Sequence, residues 1–141
     1  MNRAVEQVEL KVPVNAGYVS VVRLLISGLG VRLGLPVDEL EDLKLVVGEV
    51  FLTIVQRCGT AVGLVHLKWR QDDRHISVSL SDPSGKHKHV AGAANLALLK
   101  QLGGVYNSTV VDGVEELNID FDVKYKDDRP FIFDERPTGR A

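Results

Sequence analysis

The sequence predicts an α+β sandwich: one mostly antiparallel sheet with its helices packed on a single face. Three observations predict it. The segments with a strand period segregate as hairpins instead of alternating one by one with helices, which favours antiparallel pairing. Two helical patterns lie together between the first strand and the second. The longer of them, residues 37–58, carries a continuous apolar stripe and is the element around which the rest of the chain is organised.

In chain order, Val8, Leu10, Val12 and Val14 alternate with Gln7, Glu9, Lys11 and Pro13, the period of a half-buried strand. Asn15 can cap a helix running to about Leu33, with Val22, Leu25, Ile26, Leu29 and Leu33 inward and Gly34 as its stop. Gly28 and Gly30 each weaken that helix by about 1 kcal/mol relative to alanine, so close packing against another element or subunit is the expected reason for them. Pro36 and Asp38 open the central helix, and Asp38, Glu39, Glu41 and Asp42 suit the positive end of its dipole. Leu40, Leu43, Val47, Phe51, Ile54 and Cys58 form its core stripe, and Gly59 ends it. From Leu45 onward the helix is apolar almost all round, which predicts cover on more than one side.

Val65, Leu67 and Trp69 alternate with His66, Lys68 and Arg70, and after a turn near residues 71–73 Ile76, Val78 and Leu80 alternate with serines. These predict a hairpin whose His66 to Arg70 face is exposed, with Trp69 as a packing residue. Asp82-Pro83-Ser84-Gly85 is a turn signal followed by the basic loop 86–89, and residues 91–102 return to a helical pattern stopped by Gly103 and Gly104. Residues 105–111 and 114–125 flank Asp112-Gly113, a dipeptide suited to a tight hairpin turn. Beyond residue 126 no period remains. The expected organisation is a single domain over 1–126 and a disordered C-terminal tail over 127–141, in which Phe131, Ile132 and Phe133 could dock on a partner, on a second subunit or back on the domain.

At 141 residues, 45% hydrophobic and 26% charged, the chain is in the globular range and long enough for a proper core. A net charge of -2 with both signs mixed along the chain gives no reason to expect nucleic acid or an anionic membrane as partner. The N-terminus lacks an apolar signal region, and no apolar run is read as long enough to span a bilayer, so a cytoplasmic protein is expected. The single cysteine, Cys58, excludes an internal disulfide and falls on the core stripe. His87 and His89 with Asp82 lack a third ligand at metal-site spacing, so a solvated basic loop is the expected reading and no metal site is assigned there.

One polar line interrupts the central helix. Glu49, Thr53 and Arg57 follow at i, i+4 and i+8, roughly opposite the core stripe and flanked by Val46 and Val50. Two readings stand: a narrow solvent-facing edge, or polar groups opening on a pocket, since a carboxylate among valines needs pairing or water.

Val37-Asp38-Glu39-Leu40 and Leu43-Lys44-Leu45-Val46-Val47-Gly48-Glu49 resemble the corresponding helix of the bacterial anti-sigma-factor serine kinases. These belong to the GHKL, or Bergerat-fold, ATPases, with histidine-kinase catalytic domains and Hsp90 as distant relatives. The resemblance covers residues 5 to 125 and implies the histidine kinase/Hsp90-like ATPase fold. In that family the helix carries a glutamate that acts as base or water-positioning group, an asparagine four residues on that holds magnesium, and often a histidine four beyond that. Here the positions read Glu49, Thr53 and Arg57. Asp82 stands where the family's aspartate reads adenine, but Ser84 replaces the first glycine of the turn, leaving Gly85. The second phosphate motif corresponds to residues 93–96, including Asn95, with Gly92 just ahead and both glycines gone. The loop from Gly85 to Gly92 is much shorter than the family's ATP lid.

The resemblance thus implies ATP and magnesium as cofactors, and the departures imply that their binding is weakened or lost. Arg23 falls where the family's first helix carries an arginine that contacts protein partners. Two functions follow as expectations. One is a regulator, expected as a homodimer, that sequesters a sigma factor or binds a related regulatory protein. The other is an active Mg-ATP-dependent serine/threonine kinase, with Glu49 as base, phosphorylating an anti-sigma-factor antagonist.

Overall fold

The structure is a computed structural model that describes residues 5–58, 63–72, 75–82 and 104–122. Strand β1 (Glu6–Pro13) is followed by a single 3-10 turn (Ala16–Tyr18), helix α1 (Val19–Leu33) and helix α2 (Val37–Cys58). Strands β2 (Leu64–Gln71), β3 (His75–Asp82), β4 (Val105–Val111) and β5 (Val114–Asp122) complete the described elements. The five strands form one sheet in the order β1-β2-β3-β5-β4, antiparallel at every junction. The predicted α+β architecture is therefore present. The helix expected over residues 91–102 and the tail over 127–141 lie outside the described residues.

Local chemistry explains the boundaries. The Asn15 side chain accepts from the Gly17 amide at 2.8 Å and so caps the 3-10 turn that leads into α1. Gly34 closes α1 in the left-handed region at φ 77°, and the following Leu35 amide returns to the Gly30 carbonyl at 3.0 Å. Asp112 and Gly113 have φ of 52° and 78°, the pair of positive values that a two-residue hairpin turn between twisted strands requires.

A single core lies between the helices and the sheet. Val65, Leu67, Trp69, Ile76, Val78, Leu80, Leu117 and Ile119 point from the sheet towards Leu43, Val47, Phe51 and Ile54 of α2, all fully buried. Val22 and Ile26 of α1 complete it with Val46 and Val50. Burying this much apolar surface is the main stabilising term of such a domain. The opposite face of the sheet is polar and solvated, the usual division in an antiparallel sheet.

Two expectations about the helices need correction. Leu45 is 45% exposed, so α2 is not covered all round: residue 45 shares its outward face with Glu49 and Gln56, at successive steps of four and seven residues. By length and composition Ala16–Leu33 is apolar enough to cross a bilayer, contrary to the sequence reading. Its placement is that of a domain helix, with Val22 and Ile26 in the shared core and α2 packed alongside.

The two glycines of α1 separate. A Cβ at Gly30 would collide with a Leu40 methyl and lie 3.3 Å from a Leu35 methyl, so close packing does require glycine there. At Gly28 nothing lies within 4 Å of the added carbon among the described residues.

Candidate functional site

Helix α2 packs against β3, which brings the line of Glu49 and Thr53 to the helix layer above the strand that ends in Asp82. Glu49 is exposed, while Val46 and Val50 beside it are buried, so the carboxylate stands on an open edge and carries no burial penalty. Thr53 is half-buried and its hydroxyl donates to the Glu49 carbonyl at 2.8 Å. This is back-bonding to the residue four positions earlier, a habit of threonine within helices. It turns the hydroxyl hydrogen onto the helix itself and leaves only the oxygen's lone pairs for a ligand. Arg57 belongs to α2, but its side chain lies outside the described residues, as does that of Asp82. Gly85, Gly92 and Asn95 lie outside them entirely.

Asp82 is the last residue of β3 and faces Glu115 of β5 in cross-strand register. Glu115 is 3% exposed and shares the helix-facing side of β5 with Leu117, Ile119 and Phe121. A buried carboxylate beside the Asp82 position was missed from sequence. Its signal was parity: 115, 117, 119 and 121 are one face of a strand.

Arg23 is half-buried: its guanidinium rests against Gly48 of α2, and its Nε is buried with no hydrogen-bond partner among the described residues. With Val19, Ser20, Leu24 and Lys44 it borders a hollow of about 340 Å³ between the helices. Leu24 is 71% exposed at its rim, and Lys44 is engaged by Glu41 at 3.0 Å.

A second hollow, of about 270 Å³, lies on the polar side of the sheet, bordered by Arg70, Asp72, His75, Ser77 and Asp120. The His75 ring meets Asp122 through Nδ1 at 3.1 Å and Asp120 through Nε2 at 3.2 Å. The hydrogen bond to Asp122, then that to Asp120, raises the His75 pKa above its ordinary value against the opposing effect of partial burial. On the same face Glu9 accepts from Gln7 and meets His66 at 2.6 Å, and these two contacts, Gln7 first, lower its pKa. Among the described residues no group of three or more His, Cys, Asp or Glu side chains is arranged to hold a metal ion.

No protein-family model matches the chain. Individual relatives do. The serine-protein kinase RsbW of Staphylococcus epidermidis is 28% identical over 124 residues, covering 86% of this chain and 69% of that protein. The serine-protein kinase RsbW of Bacillus pumilus is 41% identical over 56 residues, 40% of this chain and 35% of its own length. That of Bacillus thuringiensis is 39% identical over 51 residues, or 36% and 32%. The likeness read from the central helix therefore extends over most of the chain, and the antiparallel five-stranded sheet with its two helices is consistent with the Bergerat-type sandwich. On both counts, the chain is similar to the RsbW-type serine-protein kinases in sequence, and its fold is consistent with theirs.

Proposed function

We propose that this protein is an anti-sigma-factor-like cytoplasmic regulator that sequesters a sigma factor, or a related regulatory protein, by direct contact, with ATP binding weakened or lost. The observation that carries the proposal is the state of Thr53. Where the family's resemblance calls for a magnesium-binding amide, this chain has a shorter side chain whose single oxygen is drawn back onto the helix by its bond to the Glu49 carbonyl, short of an amide's reach. Magnesium demands near-ideal octahedral oxygen ligation, and the donor set of Glu49 and Thr53 does not fit it well. Phosphoryl transfer depends on metal-assisted charge neutralisation and positioning, so this change bears on the kinase activity first. Partner contact is assigned to the α1 surface around Arg23, where a cation and the exposed Leu24 adjoin, the mixture common in binding hot spots. A homodimer is part of the proposal, and light scattering of the purified protein tests it.

The second reading, an active Mg-ATP-dependent serine kinase acting on an anti-sigma-factor antagonist, is favoured by the name of the relatives and by the retained, solvent-open Glu49. Isothermal titration with ATP, with and without magnesium and with ADP as control, separates the two. No binding at millimolar ATP is the expected result. Micromolar magnesium-dependent binding, followed by phosphate transfer to a serine of a partner, would replace the first reading by the second.

A further inference from the structure

The contact between Arg23 and Gly48 is unusual on both sides. Glycine in the middle of a 22-residue helix weakens the helix, and a buried arginine N–H that finds no acceptor among the described residues is unfavourable in itself. Stability alone therefore does not account for the pair. A methyl group at Gly48 would sit 2.5 Å from Arg23 Nε, 2.9 Å from Nη2 and 3.1 Å from Cζ. These three atoms are the nearest to that point, so the missing side chain makes room for this guanidinium and not for the backbone of α1.

We propose that Gly48 is a positioning residue for partner binding. By presenting bare backbone it gives the Arg23 guanidinium a flat seat on α2 and fixes the direction in which Arg23 enters the hollow bordered by Val19, Ser20, Leu24 and Lys44. The other polar groups there are otherwise engaged: the Ser20 hydroxyl donates to the Gly17 carbonyl at 3.4 Å and Lys44 is held by Glu41. The orientation of Arg23 is then the main polar determinant of that surface. This inference rests on the reading that Arg23 meets a protein partner.

The test uses the full chain as wild type, Gly48→Ala, Arg23→Ala and the double variant, with thermal melts confirming that each folds. The first readout needs no partner: solvent exchange of the Arg23 Nε–Hε proton by NMR, assigned from its loss in Arg23→Ala. Exchange at least tenfold faster in Gly48→Ala is expected, and unchanged exchange overturns the seat. The second readout is affinity for purified sigma factors encoded by the source genome, using whichever binds the wild type. Tenfold or greater weakening is expected in each single variant, with no further loss in the double. A loss in Arg23→Ala without one in Gly48→Ala, or additive losses in the double, overturns the positioning role and leaves the partner reading standing. Arg23→Ala binding as tightly as wild type overturns the partner reading itself.

Discussion

Replacing Gly28 and Gly30 by alanine, one at a time, gives opposite tests of one helix. Both residues are interior to α1, so both substitutions gain about 1 kcal/mol of helix propensity and reduced unfolded-state freedom. At Gly28 that gain is unopposed, because among the described residues nothing lies within 4 Å of the new methyl. At Gly30 the methyl meets Leu40 and Leu35, which are 6% and 8% exposed and have little room to retreat. Overpacking of this kind costs about 1–3 kcal/mol. Gly28→Ala is therefore expected to raise stability by about 1 kcal/mol, and Gly30→Ala to lie about 1–3 kcal/mol below it. The difference is the cleaner quantity, since the propensity gain cancels. Urea denaturation with a common m-value measures it, and calorimetry should place the Gly28→Ala melting point about 4 °C above wild type. Two equally stabilised variants would refute the Gly30 packing argument. A destabilised Gly28→Ala would show that this position is covered in solution, as a second subunit on α1 would cover it.

Other outcomes follow from the same geometry. Trp69 is fully buried, with its indole N–H donated to Gln71 at 2.7 Å, so Trp69→Ala should cost about 3–5 kcal/mol in urea unfolding. Thr53→Asn should acquire magnesium-dependent ATP binding by calorimetric titration; no gain would mean that the amide alone does not restore the site. The His75 pKa is raised by Asp122 and Asp120, so the folded state binds its proton more tightly than the unfolded chain does. That contribution is fully present below the unfolded histidine value of about 6.5 and is lost as pH rises through the folded value. NMR titration should place His75 above the ordinary value, and Asp122→Asn should bring it back down; an unshifted His75 would refute the bridge.

Much of this fold could be read in the sequence because its signals are local. The period of Val65, Leu67 and Trp69, the stripe from Leu40 to Cys58 and the Asp112-Gly113 turn each fix an element within a few residues. What escaped depends on neighbours distant in the chain. Gly28 and Gly30 look alike in sequence, and only Leu40 separates them. Arg23 and Gly48, 25 positions apart, carry no mutual signal, yet they meet. Leu45 looked like core because it is apolar, although its angular position beside Glu49 marks the outer face. Glu115 hid among the three residues Val114, Glu115 and Glu116, where alternation alone gives the inward parity and hydrophobicity points elsewhere. Of the proposed nucleotide residues, only Glu49 and Thr53 have side chains within the described region.

The place of β1 beside β2 bears on how the chain reaches this state. Every pair in that ladder joins residues more than fifty positions apart, with both helices looped between them. Closing so long a loop has an entropic cost that must be met before the ladder returns anything. The α1–α2 hairpin, by contrast, is joined by three residues and needs no distant partner. During synthesis the first strand therefore leaves the ribosome well before its complement exists, and its edge waits exposed while the helical pair collapses. Docking of β1 should be a late step, and pulse-labelled hydrogen exchange should find its amides protected after those of the helices.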